Sequence, residues 1–243
     1  SLSVVGDFDP EEITRLATQL FSDWKSPVPY QRVPVPFVDP APMDRIIETP
    51  DKANAVYRAG LNLRLRDDDA DYPALILGNY LLGGSSTARL PARIRERDGL
   101  SYSVGSFLNA SSFDHKGSFG IFGIYAPQNR EALEKAVVDE LERALRDGFT
   151  DAEFEAAKKG LLQSRQVARN QDGAIAGRLL AYLELDRTFA WDMQFEKRIA
   201  ELKPAEVLDA LRRYLDPKKL SVVRAGSFGK PPSTTAGTAD RKG

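Results

Sequence analysis

Residues 81–104 read Leu-Leu-Gly-Gly-Ser-Ser-Thr-Ala-Arg-Leu-Pro-Ala-Arg-Ile-Arg-Glu-Arg-Asp-Gly-Leu-Ser-Tyr-Ser-Val, and this stretch says most about the fold. The serines after the glycine pair predict a helix from about residue 86 to residue 97. Gly99 suits the left-handed position that often follows a helix. Residues 102–110 are then typical of a strand. The stretch therefore predicts a helix that turns sharply into a strand.

The flanking sequence extends this helix and strand into an α/β domain. Apolar residues predict a helix over 72–82 on the N-terminal side, and a polar turn at 114–116 predicts a hairpin with a second strand over 117–126. Alternation of Leu61, Leu63 and Leu65 with polar residues indicates a half-buried strand. We expect an α/β fold of the α+β type, with a mixed or largely antiparallel sheet and helices packed on one face.

The C-terminal part is predicted to be mainly helical. Thr150 and Glu153 form a capping-box pattern. A short apolar run at 220–223 predicts the last strand, and the composition of 230–243 predicts a disordered tail. The helices are predicted at about 130–146, 150–170, 174–186, 191–202 and 204–214.

The N-terminal part has a different organisation. Residues 2–8 are typical of a strand, and Asp9-Pro10 then starts an amphipathic helix that reaches about Trp24. Prolines at 27, 29, 34, 36, 40, 42 and 50 favour an extended connector. The strand-like residues 220–228 repeat the character of 2–8, which suggests two homologous units. We therefore predict the closing strand and helix of a preceding unit at 1–26, a Pro-rich linker at 27–45 and the main domain at 46–229.

Composition excludes several classes of function. The 243 residues include 34 Lys and Arg against 35 Asp and Glu, which gives no general basis for binding nucleic acid. The chain has no cysteine and a single histidine, so it cannot supply thiolate zinc ligands or the paired histidines of a catalytic zinc site. No apolar run approaches the roughly 20 residues that span a bilayer. We expect no metal and no cofactor in this chain.

Three local patterns resemble functional sites but have simpler interpretations. The Gly-Gly-Ser-Ser-Thr run lacks the lysine of a phosphate-binding loop and is better read as a turn with Ser85 or Ser86 as a helix cap. His115 could belong to a serine-type triad, but no nucleophile elbow accompanies it. The acidic run 67–71 lacks the glycine and distal glutamate of a calcium loop and predicts a solvated turn, with Asp71 capping the next helix.

Taken together, the motifs resemble the pitrilysin/insulinase metallopeptidases, the inverted zincins. The matching features are the glycine pair, Ser-x-Arg-Leu, and Ile-Arg-Glu-Arg-Asp-Gly-Leu-Ser-Tyr-Ser-Val. The opening Val-Val-Gly-Asp-Phe-Asp-Pro-Glu-Glu and the closing Leu-Ser-Val-Val are also similar to that family, so the likeness spans about residues 1–229. This chain resembles the C-terminal, zinc-free half.

The resemblance implies a two-half peptidase in which the other half carries zinc at an H-x-x-E-H motif. It implies that Arg95 and Tyr102 hold a peptide substrate and stabilise the oxyanion of the scissile carbonyl. Arg89 and Arg93 compete for the first role but fit the family spacing less well. The implied partner is the zinc-bearing half, joined covalently or as a separate subunit, and bacterial relatives favour the cell envelope. Alone, the chain should be inactive.

Other interpretations stay open from the residues alone. Arg95 could pair with a neighbouring acid while Tyr102 packs in a sheet. If the strand at 102–110 or the one at 117–126 is an edge strand, an extended peptide could pair with its backbone. A different class of function is an inactive scaffold or interaction module of the same fold, from a parent whose other half has lost its metal site.

Overall fold

The computed structural model describes residues 1–229 and contains one mixed five-stranded sheet. The strands are β1 Asp44–Glu48, β2 Ala55–Leu63, β3 Ser101–Ala110, β4 Gly117–Tyr125 and β5 Ser221–Gly226. Their order across the sheet is β1-β5-β2-β4-β3. Only β1 and β5 are parallel, while the other neighbours are antiparallel. The expected fold class, an α/β fold with a mixed and largely antiparallel sheet, is confirmed.

The sheet buries one of its faces beneath the helices. Along β2, Ala55, Tyr57 and Ala59 are buried while the alternating side chains are more exposed. This period of two places the apolar face against helices and leaves the opposite face more open. The helices are α1 Pro10–Phe21, α2 Tyr72–Leu82, α3 Arg130–Asp147, α4 Asp151–Ala168, α5 Asp172–Leu185, α6 Phe189–Glu201 and α7 Pro204–Tyr214.

Helix α2 lies at the centre of the helical layer. It contacts β3 and three other helices, α4, α6 and α7, which explains why seven of its eleven residues are buried. The predicted bounds of this helix agree with the structure. The capping box of α4 also forms, since Thr150 Oγ1 accepts a hydrogen bond from Glu153 N at 3.2 Å and the Glu153 carboxylate accepts one from Thr150 N at 2.8 Å.

The helix expected over 86–97 begins later than predicted. The structure has a π-helix at Pro91–Arg97, preceded by a turn in which Ala88 N donates to Ser85 O at 3.2 Å. Proline lacks a backbone N–H and suits the first turn of a helix. The position of Pro91 therefore agrees with the observed start of the helix better than Ser85 or Ser86 does. The first helical residues lie just before Pro91, at 89–90.

Asp71 was predicted to cap α2, and its side chain makes no capping hydrogen bond. Instead the carboxylate accepts hydrogen bonds from Arg213 Nε at 3.1 Å and Nη2 at 2.5 Å. A two-pronged contact with a guanidinium is stronger than a bond to a neutral backbone N–H, so the ion pair takes the carboxylate.

Residues 2–8 were predicted as a strand and form none. A strand needs a hydrogen-bonded neighbour, and these residues are not part of the five-stranded sheet. Helix α1 does form, with Asp9 Oδ1 accepting from Glu11 N at 2.8 Å. It contains no buried residue, and Leu20 and Trp24 are 70% and 80% exposed. The assignment of 1–26 to a preceding unit stays a prediction.

The Pro-rich segment contains neither helix nor strand between residue 27 and β1. It lies against the main domain through Arg32, whose guanidinium donates to both carboxylate oxygens of Asp114 at 2.6 and 2.9 Å. The guanidinium lowers the pKa of Asp114 to about 2. Asn62 also donates to Val38 O at 2.9 Å. The segment is therefore fixed on the tip of the β3–β4 hairpin, while the predicted disordered tail, 230–243, lies outside the described residues.

Candidate functional site

The candidate site lies where the π-helix turns into β3. Gly99 occupies the left-handed region with φ 61°, which favours glycine because a Cβ is strained there. Leu100 N then donates to Ile94 O at 2.8 Å and closes the turn. Leu100 O in turn accepts from Asn129 Nδ2 at 3.2 Å. These bonds fix the direction in which the chain enters β3.

Arg95 lies on the exposed side of the π-helix. Its side chain is 55% exposed, and its ion-pair partner within residues 1–229 is the neighbouring Glu96, which lies at 3.1 Å and is 63% exposed. An exposed pair of this kind contributes little to stability. The guanidinium therefore keeps most of its donors directed to solvent, where a ligand oxygen can meet them.

Tyr102 lies at a β-bulge. Ser101 pairs with Tyr125 and Ser103 with the adjacent Ile124, so Tyr102 is the extra residue on β3. The buried Ser101 hydroxyl shares its one hydrogen between two carbonyl acceptors, Ile124 O at 2.7 Å and Ser103 O at 2.8 Å, which fixes the bulge. Bulges change the direction of a side chain, and Tyr102 is 85% exposed. The alternative in which Tyr102 packs in the sheet is wrong.

The two competing arginines have structural roles. Arg89 Nε and Nη2 donate to the two carboxylate oxygens of Glu153 at 2.8 and 2.9 Å, and this contact lowers the pKa of Glu153 to about 2. Arg93 contacts Asp139 and Glu140 on α3, both at 3.1 Å. Both arginines are engaged in joining helices. Arg95 and Arg97 are the exposed guanidinium groups of this π-helix, and Arg97 is paired with Asp98 at 2.8 Å.

Strand β3 is an edge strand, because it pairs with β4 alone in the five-stranded sheet, whereas β4 pairs with both β2 and β3. The outer edge of β3 is partly covered, since Ser106 N donates to Gly83 O at 3.0 Å. The approach is close enough that a Cβ on Gly83 would lie 2.6 Å from Ser106 N, which explains this glycine. An added strand could therefore pair with the backbone of β3 between Ser101 and Ser106, the part that contains Tyr102.

The groups that could hold a metal do not converge in the part of the chain that the structure describes. Within residues 1–229, no three His, Asp or Glu side chains come together as a metal site. His115 is half exposed, and its Nε2 lies 3.7 Å from Asp69 Oδ1, consistent with a turn residue. Asp67, the first of the acidic run, binds Arg187 through two contacts of 2.7 Å. The donor set of the described chain therefore does not fit a zinc ion.

A second polar cluster, which was not predicted, joins α4, α5 and α6. Asp192 is buried and accepts from Arg165 Nη2 at 2.7 Å, from Arg178 and from the Tyr182 hydroxyl at 2.7 Å. Burial raises the pKa of Tyr182 to about 12, with the Asp192 contact acting in the same direction. Arg165 and Arg169 both contact Glu196, Arg165 at 3.0 Å. The four-residue spacings 165/169 and 192/196 place each like-charged pair on one face of its own helix, which is the sequence signal that was available.

No helix within residues 1–229 combines the length and hydrophobicity needed to cross a membrane.

Comparison with known proteins gives consistent results. Residues 1–161 match the family model described as the peptidase M16 inactive domain. An uncharacterized zinc protease of Mycobacterium tuberculosis is 29% identical over 156 residues, which are 64% of this chain and 35% of the relative. An uncharacterized zinc protease of Bacillus subtilis is 36% identical over 94 residues, or 39% of this chain and 22% of the relative.

Solved structures show the same architecture. A peptidase M16 inactive domain from Pseudomonas fluorescens superposes with a TM-score of 0.78 at 26% identity, over 91% of this chain and 52% of that chain. A protease from Helicobacter pylori has the same fold, with a TM-score of 0.76 at 19% identity over 93% of this chain and 54% of that chain. The chain thus spans about half the length of these two structures and matches about a third or less of the two zinc proteases named above.

Proposed function

Because this chain belongs to the peptidase M16 family, as an inactive domain, we propose that it is the substrate-holding half of a zinc metallopeptidase. Its substrate is a peptide or protein, held by Arg95 and Tyr102. The observation that carries the proposal is the bulge at Ser101–Ser103, which exposes a phenol on an edge strand directly after the turn from the helix of Arg95.

The chemistry of the two side chains suits this role. The Arg95 guanidinium offers several N–H donors in one plane, so it can hold a peptide carbonyl oxygen. The Tyr102 hydroxyl can donate a hydrogen bond to the scissile carbonyl oxygen. That bond strengthens as negative charge develops on the oxygen, and so it favours the transition state over the bound substrate.

The edge position of β3 supports peptide binding by a second route. An extended substrate can add its backbone to the open part of this strand, near Tyr102, and align its carbonyl groups with both side chains. Backbone pairing gives affinity with little demand on the sequence of the substrate. The covered position at Ser106 limits how far such a peptide can extend along β3.

The hydrolytic centre belongs, in this proposal, to a companion half that binds zinc. The single histidine of the chain and the scattered carboxylates of residues 1–229 do not fit the ion, so no step is assigned to a metal here. The exposed apolar side chains of α1 and of the residues that follow it, including Leu20 and Trp24, support contact with such a half, because apolar surface of this kind normally packs against another element.

We expect the 243-residue chain alone to hydrolyse no peptide. The measurement is cleavage of an unstructured protein such as β-casein, with added zinc and with or without a chelator, after circular dichroism has verified the fold. The complete protein that contains this chain is the positive control, and its activity is expected to disappear with the chelator.

Two results would contradict the proposal. Chelator-sensitive cleavage by the isolated chain would show that it needs no companion half. A complete protein without chelator-sensitive activity, alone or with any separate subunit, would support the inactive scaffold instead.

A further inference from the structure

A cavity of about 200 Å³ lies beside the polar cluster of α4, α5 and α6. One part of its wall is apolar and consists of Ala168, Ala174, Ile175 and Phe189. The rest of the wall is basic and comes from Arg165, Arg169 and Arg178, with Ser164 at the side. An apolar pocket with a few convergent polar groups is the usual form of a small-molecule site.

The charges around this cavity do not balance. Three guanidinium groups, those of Arg165, Arg169 and Arg178, contact two carboxylates, those of Asp192 and Glu196. Asp192 is only 3% exposed and Glu196 21%, so both carboxylates are largely desolvated by these contacts. The cluster therefore retains a surplus of one positive charge beside an apolar wall.

Guanidinium nitrogens of this cluster can donate hydrogen bonds to a ligand. Within residues 1–229, Arg178 uses Nη1 to bind Asp192, it also contacts Tyr182, and it forms an ion pair with no other carboxylate. Within the same residues, Arg165 uses Nε and Nη2, and its Nη1 has no hydrogen-bond partner. A carboxylate can accept from such guanidinium nitrogens in a charge-assisted contact.

We propose that this cavity is a binding site for a small monoanionic ligand, an organic carboxylate with a short apolar body. The carboxylate would lie against Arg165 and Arg178, and the apolar body against Ile175 and Phe189. The size fits, because an apolar protein cavity of about 150 Å³ accommodates benzene. The site is separate from Arg95 and Tyr102, and the proposal holds whether or not the chain acts in a peptidase.

The test uses benzoate as the probe, with the 243-residue chain. Benzoate is expected to bind saturably with a dissociation constant of about 1 mM or lower, measured by calorimetry or ligand-observed NMR. Benzamide has the same shape without the charge and is expected to bind at least about tenfold more weakly. Inorganic phosphate, which has no apolar body, is also expected to bind more weakly.

Two variants locate the binding. Arg178→Gln removes the surplus charge and should weaken benzoate binding at least about tenfold. Ile175→Trp fills the cavity without touching the ion pairs and should abolish the binding, which keeps the test valid if Arg178→Gln fails to fold. Arg146→Gln on α3 is the matched control, since Arg146 pairs with exposed Asp147 away from the cavity, and it should bind like the wild type.

The proposal is overturned if the wild-type chain does not bind benzoate saturably. It is equally overturned if benzamide binds as tightly as benzoate, or if a folded Ile175→Trp variant retains wild-type affinity. None of these results bears on Arg95 or Tyr102.

Discussion

Tyr102→Phe in the complete protein is expected to lower kcat by about 100-fold to 1,000-fold while KM stays within about twofold. Phenylalanine retains the ring of Tyr102 but lacks its hydroxyl, which is the one hydrogen-bond donor of that side chain. Because that donor acts on charge that develops in the transition state, its loss affects the chemical step more than substrate binding. The measurement is steady-state hydrolysis of a fluorogenic peptide.

Tyr30→Phe provides the control for this substitution. Tyr30 is 89% exposed, close to the 85% of Tyr102, and lies in the Pro-rich segment. Its replacement removes the same hydroxyl from an equally exposed position and should leave both kinetic constants unchanged. If Tyr102→Phe also leaves them unchanged, the role assigned to Tyr102 is wrong. A large rise in KM at constant kcat would instead assign Tyr102 to substrate binding alone.

Asp192→Ala is expected to lower the free energy of unfolding by about 3–5 kcal/mol. The carboxylate is buried and contacts two guanidinium groups, those of Arg165 and Arg178, together with the Tyr182 hydroxyl. Removal of this single negative charge leaves positive charge without its partner in a desolvated site and leaves a buried hydroxyl without its acceptor. Urea unfolding of the 243-residue chain, followed by circular dichroism, measures the change.

Asp147→Ala is the matched control for the stability measurement. Asp147 also pairs with an arginine, Arg146 at 2.9 Å, but its side chain is 51% exposed. Water replaces the lost contact there, so the unfolding midpoint should stay close to that of the wild type. A similar small change for Asp192→Ala would show that the cluster does not stabilise the packing of α4, α5 and α6.

Local patterns in the sequence were sufficient to predict much of the fold. The bounds of α2 and the capping box of α4 follow from nearby residues, since hydrophobic periodicity and cap chemistry act over one or two turns. The prediction of a strand over residues 2–8 was wrong because strand formation depends on residues that are distant in the chain. A strand depends on a neighbour from elsewhere in the chain, and its own residues do not reveal whether that neighbour is present.

Asp71 illustrates a second limit. Its position before α2 predicted a helix cap, and the carboxylate instead binds Arg213, which is 142 residues away in the chain. Contacts of this length depend on the packing of α2 against α7, which a single sequence does not specify. The parallel pairing of β1 with β5 has the same origin.

The candidate site could be predicted only in part. Arg95 and Tyr102 were selected because the motifs resemble a known family, and their residue types alone would not have selected them. The bulge at Tyr102 is a matter of register between β3 and β4, so it becomes visible only in the sheet. Arg89 and Arg93 are distinguished from Arg95 by their partners on α4 and α3, which are tertiary contacts.

The most direct test of the central claim is photo-cross-linking of substrate to the complete protein. A photoreactive phenylalanine analogue replaces Tyr102 in one variant and Tyr30, the equally exposed control, in another. We expect a bound peptide to become linked at position 102 and not at position 30, and an excess of unlabelled substrate to prevent the linkage. No linkage at position 102 in a protein that binds the peptide, or equal linkage at both positions, would contradict it.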